Sequence, residues 1–90
     1  MDPATFETIA GNTLAVLGPA ASRRSEWRND MAQLRNQATV QGHRHLAALL
    51  EAVIGLLDAN GDPRGLGAGL NGVYAQTWQA IVQRLPGSLA

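Results

Sequence analysis

The sequence predicts an all-α fold: four amphipathic helices, arranged as two antiparallel helical hairpins packed into a compact bundle. Three observations predict it. Apolar residues recur at three- and four-residue spacing in four separate stretches. Glycine, proline or a capping side chain bounds each stretch. The third stretch sustains its period for twelve residues, too long for an ordinary buried strand.

The first helix is expected over residues 3–17. Asp2 is placed to cap it, and Pro3 occupies the first helical position, where a missing N–H costs nothing. Phe6, Ile9, Ala10, Thr13, Leu14 and Leu17 form its inner face, and Gly18-Pro19 ends it, with Gly18 in the left-handed conformation.

The second helix, 23–41, takes its cap from Ser22 or Ser25 and turns Trp27, Met31, Leu34 and Ala38 inward. Gly42 breaks it, leaving a connection short enough for an antiparallel hairpin. The third helix, 43–59, carries Leu46, Leu49, Leu50, Val53, Ile54 and Leu57 in an unbroken apolar series and stops at Asn60-Gly61. A glycine-rich loop spans 60–72, with a short helical turn after Asp62-Pro63. The last helix, 72–85, directs Tyr74, Trp78, Ile81, Val82 and Leu85 to the core before Pro86-Gly87. Residues 6–17 and 46–57 align by apolar pattern, and each is followed by a helix bearing Trp27 or Trp78. The two hairpins would then be copies, first helix with second and third with last.

Ninety residues make one domain, because half that length closes no core. With 46% hydrophobic and 16% charged residues the chain has enough apolar surface to fold. All seven basic residues are arginine and none is lysine; there is no cysteine. Thiol chemistry, disulfides, cysteine zinc sites, Schiff bases and the phosphate-binding P-loop lysine are thereby excluded. No stretch reaches the ~20 apolar residues of a membrane span, and no secretory signal opens the chain, so a cytoplasmic location is expected.

Several strings resemble sites. Gly67 to Gly72 spells G-x-G-x-x-G, but dinucleotide binding needs a preceding strand and a βαβ unit, and a helix precedes it here. Asp58, Asn60 and Asp62 have the spacing of a calcium loop, yet Pro63 and Gly69 stand where that loop needs glycine and glutamate. His43 and His45, two apart, point to opposite sides of a helix and cannot share a metal. Ser22, Ser25, Ser88 and the threonines lack a catalytic context, and Glu26 and Asp30 read as a solvated stripe. No enzyme, cofactor or metal site is expected.

One feature points to a partner. Arg23, Arg24, Arg28 and Arg35 crowd the second helix, where they could meet an acidic protein or phosphates. Arg23 has Glu26 as a local ion-pair partner, and Arg24 can lie over the Trp27 indole. A formal charge of zero argues against a general pull toward nucleic acid. Val16, Val40, Leu56 and Leu66 fall off the main stripes and would form a patch for self-association.

The runs EWRNDMAQLRNQA, HLAALLEAVIGLLD and YAQTWQAIVQRL together resemble helical modules of large bacterial proteins rich in tetratricopeptide repeats, although the strict repeat signature is absent. The resemblance implies a scaffold or interaction role and assigns no residue. The expected function is a non-catalytic protein–protein interaction or scaffold module, through a partner or self-association. The alternative is a small regulatory or nucleic-acid-binding protein acting through Arg23, Arg24, Arg28, Arg35 and Arg44.

Overall fold

The most apolar stretch of the sequence becomes the centre of the molecule. In the computed structural model, which describes residues 3–58 and 62–85, helix α3 (Arg44–Leu57) buries Leu49, Leu50, Ala52, Val53, Ile54, Leu56 and Leu57. A helix approached from one side buries a single stripe. This one is contacted by α2 (Arg24–Val40), by the four-residue α4 (Pro63–Leu66) and by α5 (Gly72–Gln83), so burial spreads beyond the stripe. Helix α1 (Pro3–Val16) and a 3-10 turn (Ala21–Arg23) complete the chain order. The fold is all-α, as the periodicity predicts. The observed helices begin and end within two residues of the expected bounds, and the turn after Asp62-Pro63 is α4. The Asp2 cap, the Asn60-Gly61 stop and the Pro86-Gly87 stop lie outside the described residues.

The α2–α3 connection shows how one glycine sets a turn. Gly42 has φ of +79°, in the left-handed region. Its N–H donates to the Thr39 carbonyl at 3.2 Å, and the N–H of His43 reaches back to Ala38 at 2.8 Å. This is the Schellman closure, which satisfies two of the carbonyls a helix end leaves open. The turn sends α3 back along α2 in the antiparallel sense: Arg24 meets Leu57 while Arg35 meets Glu51.

Three local expectations are corrected. Gly18 is not left-handed; α1 leaves its last turn through bonds from Leu17 to Thr13 and from Gly18 and Ala20 to Ala15. Neither Ser22 nor Ser25 caps α2: Arg23 precedes it and no side chain makes the capping bond, because the 3-10 turn already occupies that backbone. The helices also pair differently from the repeat pattern. The closest pair is α2 with α3, then α1 with α5. The bundle therefore consists of one sequential hairpin and one pair drawn from the two ends of the described chain.

That pairing explains the core. Phe6 of α1 meets Tyr74 of α5 edge-on, ring centres 5.5 Å apart, and Ile9, Val16, Trp78, Ile81 and Leu85 join them. Met31 and Ala38 are the buried residues of α2. Leu34, expected inside, keeps 41% of its surface exposed, because α1 packs chiefly on α5 and leaves that flank of α2 open. The radius of gyration, 12.0 Å, matches the roughly 12 Å of a globular chain of this length.

Candidate functional site

The expected partner-binding set is Arg23, at the end of the 3-10 turn, with Arg24, Arg28 and Arg35 of α2, and the structure divides it. At 3.6 residues per turn, Arg24, Arg28 and Arg35 fall within about 40° of one another around the helix axis, on the flank that faces α3. The Arg24 guanidinium donates through Nε to the Leu57 carbonyl at 2.7 Å and through Nη2 to the same oxygen, not to the Trp27 indole. Arg28 donates to the Asp58 carboxylate at 3.3 Å. Arg35 donates to Glu51 at 2.8 Å. Only Arg23 remains on the other side, paired with Glu26 at 3.6 Å as expected.

The register of these pairs was present in the sequence. Arg28 and Arg35 are seven apart, as are Glu51 and Asp58, and an antiparallel hairpin turning at Gly42 brings each cation to a carboxylate in reverse order. Seven residues is two helical turns, so both pairs fall on one seam. That arithmetic across the turn was the missing signal.

With its cations drawn toward α3, α2 presents a different surface to α1. There a groove of about 190 Å³ lies between the helices. Ala15, Val16, Ala20 and Trp27 form its apolar base, and Asn12, Arg23, Glu26 and Asp30 are its exposed edge. Trp27 is fixed in place: its indole N–H donates to the hydroxyl of fully buried Thr13 at 3.0 Å. The Asp30 carboxylate makes no hydrogen bond or ion pair within the described residues.

A second groove, about 490 Å³, lies where the glycine loop meets α5, lined by Gly67, Leu70, Ala75, Trp78 and Val82 with Gln79 and Gln83. Its described lining carries no charge. Gly67 packs against the Trp78 ring, whose N–H donates to the Pro63 carbonyl at 2.9 Å. The G-x-G-x-x-G string therefore forms the link between α4 and α5, and no strand occurs among the described residues.

The remaining strings are scattered. His43, Arg44 and His45 are all exposed at the start of α3, and His45 stacks on Tyr74 at 5.9 Å. No group of three or more potential metal ligands assembles among the described residues. Of the calcium-like string, Asn60 lies outside those residues, and Asp58 is engaged by Arg28. The expected self-association patch does not form: Val16 is buried at the base of the α1–α2 groove, and Leu56 is buried and Leu66 half-buried, packed over Gly55, because α3 is enclosed on several sides. Val40 alone of the four is strongly exposed, at 88%. No helix among the described residues is long and apolar enough to cross a membrane.

Compared with protein-family models, with curated proteins and with solved structures, the chain matches none.

Proposed function

We propose that the protein is a non-catalytic interaction module of the cytoplasm that holds a partner protein in the groove between α1 and α2, the kind of scaffold role that a likeness to tetratricopeptide-type helical modules implies. The observation that carries this reading is the groove's make-up: an apolar base with a fixed tryptophan, bordered by charge. Interfaces concentrate aromatic anchors in a dry centre and polar groups at the edge. At about 190 Å³ the groove is smaller than the roughly 300–1,000 Å³ of small-molecule sites, and suits a side chain projecting from another protein.

The alternative, nucleic-acid binding through Arg23, Arg24, Arg28, Arg35 and Arg44, has less to draw on. Four of the five are engaged inside the chain, leaving the Arg44 side chain without a partner in the described residues. Retention on heparin that weakens steeply with salt would favour that alternative.

Photo-crosslinking tests the docking reading. With p-benzoylphenylalanine in place of Asn12, irradiation in the producing cell is expected to give a discrete heavier adduct. The same residue in place of Gln41, exposed at the α2–α3 turn, is expected to give none. No adduct from the groove position, or equal adducts from both, would overturn it.

A further inference from the structure

We infer that the α1–α2 groove receives an arginine side chain of the partner protein, its guanidinium between Glu26 and Asp30 and its aliphatic stem against Trp27. The inference rests on the docking reading and adds the chemistry of the occupant.

The charge of the groove decides its sign. Arg24, Arg28 and Arg35 are turned away into the α3 seam, so the charged groups lining the groove among the described residues are Arg23, Glu26 and Asp30, a net of one negative charge. The Asp30 carboxylate has no partner among the described residues. Among the described residues Glu26 has only Arg23, at 3.6 Å with side chains 72% and 67% exposed, a contact weak enough to be exchanged for a better one.

The shape then selects arginine over lysine. Glu26 and Asp30 are one turn apart on one helix, with Cβ atoms about 5–6 Å apart, a span that a planar five-donor guanidinium can bridge. An ammonium is a point charge and would address one carboxylate at a time. Trp27 adds an aromatic surface for the cation and its stem, and the Thr13 bond holds that ring in position before anything binds. Arg23 is in effect an internal competitor, reaching one of the two carboxylates from the groove's own edge.

The test is an NMR titration of the intact protein with Nα-acetyl-arginine amide, read at the Trp27 indole N–H and the backbone amides of Val16 and Asp30. Saturable shifts in the millimolar range are expected, as suits so small a probe. The neutral citrulline analogue is expected to give none, and the lysine analogue to bind more weakly. The double variant Glu26→Gln/Asp30→Asn should weaken binding about tenfold, two charge-assisted bonds being lost at an exposed site. Arg23→Ala should tighten it about twofold by removing the competitor. All three positions are exposed, and an unchanged helical circular-dichroism spectrum verifies that the variants fold.

Shifts that do not saturate, that citrulline reproduces, that lysine matches, or that survive the double variant would overturn the assignment. A failed titration beside a positive crosslink at position 12 removes arginine and leaves the docking reading standing. A positive titration without the crosslink removes the partner.

Discussion

Arg24 shows how much one side chain can do at a helix end. The last carbonyls of α3 have no intrahelical donor, and they form the negative end of its dipole. The Arg24 guanidinium supplies both the donor and the opposite charge at the Leu57 carbonyl. Arg24→Met, which keeps the stem, should lower stability by about 1–2 kcal/mol in urea denaturation. Gly67 is decisive for the opposite reason, the absence of a side chain. A Cβ there would lie 2.0 Å from Cδ1 and 2.2 Å from Nε1 of Trp78, a ring tethered to the Pro63 carbonyl and unable to retreat. Gly67→Ala should therefore cost about 1–3 kcal/mol, as overpacking does. Gly65→Ala, which meets nothing within 4 Å and lies inside α4, should instead raise thermal stability by about 0.4–1 kcal/mol. Thr13 carries a similar lesson. Its spacing placed it on the inner face correctly, but spacing could not reveal that its hydroxyl would accept the Trp27 N–H.

Among the elements, the α2–α3 hairpin is fastened by a graded set of contacts. The Arg35–Glu51 pair is short, at 2.8 Å, but its side chains are 29% and 60% exposed. A double-mutant cycle on Arg35→Ala and Glu51→Ala should give a coupling below about 1 kcal/mol that shrinks further in high salt. A coupling of several kcal/mol, indifferent to salt, would contradict the exposure of the pair. At this scale the sequence was most legible for the helices themselves, because a 3.6-residue period reports directly which side of a segment is apolar. It was least legible for their partners. An apolar face says nothing about which neighbour covers it: Leu56 is buried because α3 is enclosed by α2, α4 and α5, and Val16 because α1 meets α2 beside Trp27. The arginine stripe was ambiguous for the same reason: one spacing of charges suits an outside ligand and an adjacent helix equally well. The groove on the far flank was not legible at all, since it depends on where α1 crosses α2.

On the scale of the molecule, the seam between α1 and α5 joins segments far apart in sequence, whereas α2 and α3 are joined by a single tight turn. Contacts of the first kind carry a larger loop-closure cost, and their seam has less local support. Tyr74→Ala removes the ring that faces Phe6 across it. Amide exchange should then accelerate together in α1 and α5 while α2 and α3 keep their protection, the pattern of separate cooperative units. Uniform acceleration through all the helices would show instead that the bundle opens only as a whole.

Each of the two indoles is anchored at a different junction, Trp27 where α1 meets α2 and Trp78 where the glycine link meets α5. The protein thus comes with its own pair of optical reporters. Trp27→Phe leaves an emission spectrum that reads the loop junction alone, and Trp78→Phe one that reads the groove alone, so occupancy of the groove can be followed by fluorescence without attaching a dye.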